Sequence, residues 1–349
     1  MPRSYTRVIT TPAAARSVRG PQPPFVSLTT DFGLRDPSPA ICKGAVMAIA
    51  PEAIVVDISH EVAKFQVRDG ALLLWCALPY LPIGAHVGVV DPGVGTERLP
   101  LAIETLRGDV LVGPDNGLLI PAAARLGGIV SAHVLENAEY RLPEISTSFH
   151  GRDLFAPAAA HLALGVPIEV FGPPVDPRDL VVLDWPEPEV KAGELSTAVI
   201  YVDTFGNAKL AGEAGDLLAA LGPLEFGDPL VVHVVGSRKG SAGAPWAMTF
   251  GDVEPGALLL YEDSYGRLCL ATNQGSAAKD LRLTEGTRIG IARDRRSAPR
   301  AVTTGASLVA PAVAYAKVDE PEPDAATDEV EPEPVEPRAI KAGPEPAEA

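Results

Sequence analysis

The chain is short of several things, and each shortage removes a class of protein. Cysteine is scarce, three in 349 residues, and Cys42, Cys76 and Cys269 never form a CxxC pair. A dispersed, odd set excludes a disulfide framework and a cysteine-based zinc site, and it fits a reducing, cytoplasmic compartment. All three lie in apolar stretches and read as buried structural thiols. No apolar run of about 18 residues occurs, so no membrane span is expected. The first residues lack the continuous apolar core of a secretory signal. An excess of positive charge is missing too. The formal net charge is −16, which excludes the one-sided basic surface that nucleic acid requires.

Familiar phosphate and hydrolase motifs are also absent. Gly93-Val-Gly95 begins a GxG, but Arg98 stands where the third glycine of the dinucleotide fingerprint belongs. There is no P-loop, GxSxG elbow or HExxH. Asp57 and His60 have no third ligand nearby in sequence. They read as a strand-end carboxylate and a surface histidine, and no metal is expected.

What is present is unevenly charged and strongly patterned. Hydrophobic residues make up 46% and charged residues 21%, an ordinary balance with ample material for a core. From Asp319 to Ala349, eleven acidic residues face only Arg338 and Lys341, giving −9. Residues 1–22 carry Arg3, Arg7, Arg16 and Arg19 and no acid. This basic, acid-free start faintly resembles a transit peptide in composition, but its composition favours a disordered extension over residues 1–23. The acidic Pro/Glu-rich tail, residues 297–349, lacks the apolar surface to fold.

Between these ends the periodicity alternates. Phe25–Thr30, Ala53–Asp57, His86–Val90, Leu101–Thr105 and Val110–Val112 read as strands. Pro39–Pro51, Val67–Leu78, Leu118–Arg125 and Asp153–Leu164 read as helices. Near-continuous apolar strands alternating with helices predict an α/β domain, residues 24–175, with a mostly parallel sheet flanked by helices on both faces. Prolines at 173, 174, 177, 186 and 188 mark a linker, residues 176–194. Beyond it, Thr197–Val202, Leu230–Val235, Ala257–Tyr261, Leu268–Ala271 and Arg288–Ala292 read as strands without helices between them. They predict a small all-β barrel over residues 195–296.

Ligands of an open parallel sheet bind beyond the carboxyl ends of its strands. The polar clusters there are Asp31-Phe-Gly-Leu-Arg-Asp36, Asp91-Pro-Gly-Val-Gly-Thr-Glu-Arg98 and Pro114-Asp-Asn-Gly117. Phe149-His-Gly-Arg-Asp153 opens the alanine-rich helix, where His150 and Arg152 meet the positive end of its dipole. Taken singly, each has a plain reading. Asp91 and Arg98 suit an ion pair across a turn, His150 a capping or core histidine, Pro114–Gly117 a tight turn, and Asp31 a cap.

Together, in order and spacing, they resemble the S-adenosylmethionine hydroxide adenosyltransferase family, relatives of the enzymes that attach fluoride or chloride to C5′ of S-adenosylmethionine. The resemblance runs from Phe25 to Ala292. It is carried by Thr29-Thr-Asp-Phe-Gly33, Cys42-Lys-Gly44, Val90-Asp-Pro-Gly-Val-Gly95, Gly113-Pro-Asp-Asn-Gly-Leu-Leu119, Phe149-His-Gly-Arg-Asp153 and Asp203-Thr-Phe-Gly-Asn207. It implies a homotrimer, with the substrate between the N-terminal domain of one subunit and the barrel of the next, and no cofactor beyond the substrate itself.

The same resemblance implies roles. Asp31 takes both ribose hydroxyls, which suits a bidentate carboxylate. Asp36, Ser38 and Asp203 lie near the methionine end, and Phe65 lies against the ribose or sulfonium. Phe205 and Asn207 face the adenine. Asn116, Phe149, Gly151 and Asn273 complete the pocket, the last within Leu268-Cys-Leu-Ala-Thr-Asn-Gln-Gly275. Thr272 departs from the halogenating relatives, which carry arginine there. The hydrolytic members' Asp–Arg–His triad maps onto Asp91, Arg98 and His150.

The implied reaction is hydrolysis of S-adenosyl-L-methionine to adenosine and L-methionine by water attacking C5′. A sulfonium leaves readily, so the protein's task is to hold the water in line and take its proton. Asp91 beside Arg98 is a weak base, and His150 is a candidate acceptor. Alternatively, Arg98 and a cationic His150 stabilise hydroxide directly. Two rival functions stay open. Halide transfer is disfavoured because Asp91, His150 and Gly151 stand where the halogenating relatives have tyrosine, an aromatic residue and serine, and a carboxylate repels a halide. A non-catalytic sensor of S-adenosylmethionine or adenosine would need no water-activating group.

Overall fold

A computed structural model of the chain describes residues 23–237 and 241–294. The expected basic extension, up to residue 22, and the expected acidic tail lie outside them. β1 (Phe25–Thr30) is buried at every position, because it is a central strand covered on both faces. α1 (Ser38–Ile49), β2 (Ile54–Ser59), α2 (Val67–Ala77) and β3 (Ala85–Val89) follow, then β4 (Pro100–Thr105), β5 (Val110–Pro114), α3 (Ile120–Arg125), β6 (Ile129–Val134) and α4 (Ala156–Ala163). The sheet order is β2-β1-β3-β5-β4-β6. β2, β1, β3 and β5 pair in parallel, while β4 runs against both of its neighbours.

Two apolar layers enclose this sheet. On one face Val26, Leu28, Val87 and Val89 meet Cys42 and Val46 of α1 and the alanines of α4. On the other, Leu101, Ile103 and Leu111 meet Leu74 of α2 and Ala122 and Ala123 of α3. Ala156, Ala158, Ala159 and Ala160 are almost wholly buried. Their small side chains let α4 lie close on the sheet, which sets the depth of the loop that precedes it.

The later strands are β7 (Glu189–Lys191), β8 (Glu194–Val202), β9 (Ala208–Leu210), β10 (Leu230–Val234), β11 (Ala242–Gly243), β12 (Leu258–Glu262), β13 (Leu268–Thr272) and β14 (Arg288–Arg293). They form one antiparallel sheet in the order β11-β10-β14-β8-β9-β13-β12, with β7 on β8. A bridge between Trp246 and Leu260 brings its two ends together, so the sheet is a nearly closed barrel around Leu195, Val199, Leu210, Leu270 and Ile291.

Four expectations need correction. The barrel region is not free of helices: α5 (Ala214–Leu221) and α6 (Ala277–Leu281) lie between its strands. α5 buries Leu217, Ala220 and Leu221, an apolar stripe too short to stand out from the strands around it. The proline-rich linker contains β7, which pairs with the first residues of β8. The helix expected from Asp153 opens with a π-helical turn, Gly151–Phe155. His60 is buried, not on the surface: it is 3% exposed, with Nδ1 2.8 Å from Thr30 Oγ1 and Nε2 3.0 Å from Asp57 Oδ1. The three cysteines are buried, as expected. Burial pushes the Cys42 thiol up to about 12, which keeps it protonated and unreactive.

Candidate active site

β1 and β3 are neighbours in register, Thr30 opposite Val89. Asp31 and Asp91 therefore emerge at the same edge, at the carboxyl ends of adjacent parallel strands. A cleft of about 440 Å³ opens there. Asp31, Asp36, Ser38, Phe65, Asp91, Phe149, His150 and Gly151, which lie far apart in sequence, all line it.

Asp31 is buried to 7% exposure and anchors a loop. Its Oδ2 accepts the Phe65 N–H at 2.9 Å, and the Lys64 ammonium donates to its carbonyl oxygen. Gly33 N–H donates to the His60 carbonyl at 2.7 Å, and Asp69 Oδ2 accepts the Ala63 N–H at 2.7 Å. Under these restraints Phe65 takes a left-handed conformation, φ +64, with its side chain 68% exposed. A bulky residue there costs on the order of 1–3 kcal/mol, so the hydrogen bonds around it hold the ring in place. Asp36 Oδ1 accepts from the Ser38 hydroxyl and from its N–H at 2.9 Å. These two hydrogen bonds, the hydroxyl's first, hold the Asp36 carboxyl below its ordinary range.

The turn after β3 carries Asp91 and Arg98 towards the loop before α4. Gly95 makes this approach possible. It sits at φ +76, and its backbone presses on the Thr147 carbonyl so closely that a Cβ has no room. Arg98 Nε donates to Asp91 Oδ1 and Oδ2 at 3.1 Å, and Nη2 donates to Oδ2 at 2.5 Å. The pair is nearly sealed from water, the two side chains being 9% and 5% exposed. Behind it, the Arg98 guanidinium carbon lies 5.2 Å from the centre of the Phe155 ring, which the π-helical turn presents. Such turns recur at functional sites.

Arg98 Nη2 also donates to His150 Nδ1 at 2.7 Å. A nitrogen that accepts this hydrogen bond carries no proton, so the ring proton of neutral His150 sits on Nε2. Burial, and next the Arg98 charge, push the His150 pKa below its ordinary value. The imidazole is therefore neutral at pH 7. Its loop is fixed from below: Ser146 N–H donates to Asp153 Oδ2 at 2.8 Å, and Asp153 is fully buried beside Arg152.

Other expected site residues lie elsewhere in this chain. Asn116 sits beneath the cleft, with Nδ2 donating to the Val90 carbonyl at 2.8 Å and so steadying the residue before Asp91. Asp203, Phe205, Asn207 and Asn273 belong to the barrel region and do not line the cleft. Asp203 Oδ1 accepts the N–H groups of Phe205 and Asn207, and Oδ2 accepts Asn207 Nδ2, each at 2.9 Å. That turn leaves Phe205 78% exposed. Asn273 Nδ2 donates to the Val253 carbonyl at 2.7 Å. Sequence reasoning missed Lys64, whose ammonium lines the cleft beside Asp31. Its adjacency to Phe65 in an aperiodic segment was the available signal. Among the described residues, no group of three or more histidine, cysteine or acidic side chains is placed to hold a metal ion. No helix among them is long and apolar enough to cross a membrane.

The chain matches the SAM hydroxide adenosyltransferase N-terminal domain over residues 26–172 and its C-terminal domain over residues 197–290. It is 44% identical over 268 residues to the (R)-S-adenosyl-L-methionine hydrolase of Salinispora tropica, covering 77% of this chain and 97% of that protein. A more distant relative, the fluorinase of Actinopolyspora mzabensis, is 27% identical over 77% of this chain and 97% of its own length. A crystal structure of an uncharacterized conserved protein from Thermotoga maritima superposes with a TM-score of 0.72 at 36% identity, covering 77% of this chain and all of that one. The two domain matches and the 44% identity along one continuous stretch make this chain a member of the SAM hydroxide adenosyltransferase family.

Proposed function

We propose that the protein hydrolyses S-adenosyl-L-methionine by in-line attack of water on C5′, releasing adenosine and L-methionine without a cofactor. The observation that carries this reading is the Asp91–Arg98–His150 chain in the cleft wall. A site that only binds a nucleoside has no use for a carboxylate locked by an arginine that a neutral imidazole also engages. The charge of the cleft agrees. Asp31, Asp36 and Asp91 with Lys64 give it a net negative lining, suited to a sulfonium and an ammonium and unfavourable to a halide. Relatives between 37% and 44% identical are named for the (R) form of the substrate, and we carry that sulfonium configuration over.

The tautomer narrows the proton acceptor. His150 Nδ1 is taken by Arg98 and Nε2 holds the ring proton, so neutral His150 has no free nitrogen to accept a proton from water. Asp91 Oδ1 meets Arg98 Nε only at 3.1 Å and keeps accepting capacity beside the cleft. We assign Asp91 as the acceptor. As the water oxygen bonds to C5′, the C5′–sulfur bond breaks with its electron pair going to sulfur, and a water proton passes to Asp91. One positive and one negative charge disappear together, which a partly desolvated site favours. Asp91 then returns the proton to solvent. Asp31 holds the ribose hydroxyls.

We further propose a cytoplasmic homotrimer in which the Asp203–Asn207 turn and Asn273 of one subunit close the cleft of the next. The support is the exposure of Phe65 and Phe205 and the absence of that turn from the lining of its own chain's cleft. Sedimentation analysis checks this, and a monomer at working concentration counts against it.

The test of function is incubation with each sulfonium epimer in oxygen-18 water, with and without chloride, followed by mass spectrometry of the nucleoside. Adenosine labelled at the 5′ oxygen, formed by wild type and lost in Asp91→Ala and His150→Ala, supports the reading. A 5′-chloro nucleoside assigns halide transfer instead, and binding without any product leaves a sensor.

A further inference from the structure

A second hollow, of about 280 Å³, lies away from the cleft where α2, α3, the segment 182–185 and the turn between β12 and β13 meet. Ile120, Leu183, Trp75 and Trp185 give it apolar walls, and Arg125 and Arg267 stand at its sides. The Arg125 guanidinium carbon is 3.7 Å from the centre of the Trp75 ring, and that of Arg267 is 4.8 Å from the same centre. Two cations thus converge on one indole. Among the described residues, neither guanidinium forms a salt bridge. The carboxylate on the same turn, Asp263, is already held by Lys209.

Two donors there also lack acceptors: Arg267 Nε and Trp185 Nε1 are buried and make no hydrogen bond with any described residue. A buried donor left unpaired costs about 1–3 kcal/mol, and adjacent like charges beside an apolar wall add to that cost. A single anion seated in the hollow offsets the charge of the two guanidiniums. A carboxylate fits, since its two oxygens match the planar fork of a guanidinium. The surrounding tryptophan, leucine and isoleucine side chains call for an apolar body. Free amino acids fit poorly, because their ammonium would face two guanidiniums.

We infer that this hollow is a second binding site, separate from the catalytic cleft, for a small carboxylate carrying an aromatic or branched apolar body and no positive charge. Two of the three tryptophans of the chain line it, so intrinsic fluorescence reports directly on occupancy. The full-length protein is titrated with 3-phenylpropionate and, in parallel, with 3-phenylpropionamide, by tryptophan fluorescence and calorimetry.

Saturable binding at one site per chain is expected, with a Kd below about 1 mM. The uncharged amide should bind at least about tenfold more weakly, as should the acid to Arg125→Gln or Arg267→Gln, a tenfold change being about 1.4 kcal/mol. Trp185→Phe should weaken the acid by a smaller factor. Adenosine should not displace the acid, and Arg125→Gln should turn over S-adenosylmethionine at the wild-type rate. Equal affinity for acid and amide, displacement by adenosine, or absence of saturation up to about 10 mM overturns the inference. Should the arginine variants fail to fold, the acid–amide comparison on wild type still decides it.

Discussion

Arg98 Nη2 lies 2.7 Å from His150 Nδ1, so the arginine that grips Asp91 also decides which nitrogen of His150 is protonated. Fifty-two positions apart in sequence, the two residues act as one unit. The guanidinium bridges Asp91 and His150 by hydrogen bonds to each, and its loss breaks that bridge.

Arg98→Lys tests this coupling. A lysine keeps the charge but has no planar fork to reach Asp91 and His150 together. Misplacement of about 1 Å can cost on the order of a hundredfold, and we expect kcat to fall by that order with KM little changed. A kcat within a factor of about three of wild type would mean that charge alone suffices.

The pH dependence follows from His150. Its pKa is lowered from 6.5, because burial and Arg98 favour the neutral ring. The neutral form is the one that accepts Arg98's N–H, so kcat should rise with pH through a value below 6.5 and then level off. Stability has the same sign. The folded pKa lies below the unfolded one, so this group's contribution is present above the ordinary histidine value and lost as pH falls through the folded one. His150→Asn, which retains an acceptor but does not titrate, should flatten the acid limb of the rate profile. An unchanged limb assigns it to another group.

Gly95→Ala should couple stability to activity. The residue sits at φ +76 against the Thr147 carbonyl, so a methyl group brings backbone strain of about 1–3 kcal/mol and a clash. The turn must then move away from the His150 loop. A lower Tm and a lower kcat are expected together. Calorimetry and turnover check this, and a normal kcat with a lowered Tm would show that the loop contact is structural only.

Phe65→Gly separates strain from function. Relief of the left-handed conformation offsets the roughly 0.5–1 kcal/mol entropic cost of glycine, so Tm should hold or rise. Loss of the ring from the cleft should raise KM for S-adenosylmethionine. A Tm drop of several degrees would show that the ring stabilises the fold, contrary to its 68% exposure.

Asp31→Asn removes a charge while leaving an oxygen for the Phe65 N–H. Charge-assisted hydrogen bonds contribute about 1.5–3 kcal/mol each, so KM should rise by roughly ten- to a hundredfold. Turnover with the analogue lacking both ribose hydroxyls provides the check: it should be the same in wild type and variant.

Much of this protein is written locally. The all-buried β1, the alanine-rich α4 and the proline punctuation each leave a pattern in the chain, because burial on both faces, close helix packing and a missing N–H are properties of short segments. Asp31, Asp91 and the Phe149–Asp153 cluster stood out because they follow strands or open a helix. α5 and β7 did not stand out, since a two-turn apolar stripe and a three-residue edge strand carry too few residues to separate from their neighbours. His60 was misplaced for another reason: its burial depends on Thr30 and Asp57 meeting it from β1 and β2.

By itself, then, the sequence determined the two kinds of folding unit, the turns that carry the polar residues and, through the resemblance of its motifs, the chemistry to expect. Only the tertiary structure decided the protonation pattern of His150, the left-handed clamp at Phe65, the placing of the Asp203–Asn207 turn outside the lining of its own cleft and the convergence of two arginines on Trp75. The reason is physical. Periodicity records which faces are buried. A hydrogen-bond direction, a tautomer or a convergence of charges depends on atoms from distant segments arriving within about 3 Å of one another.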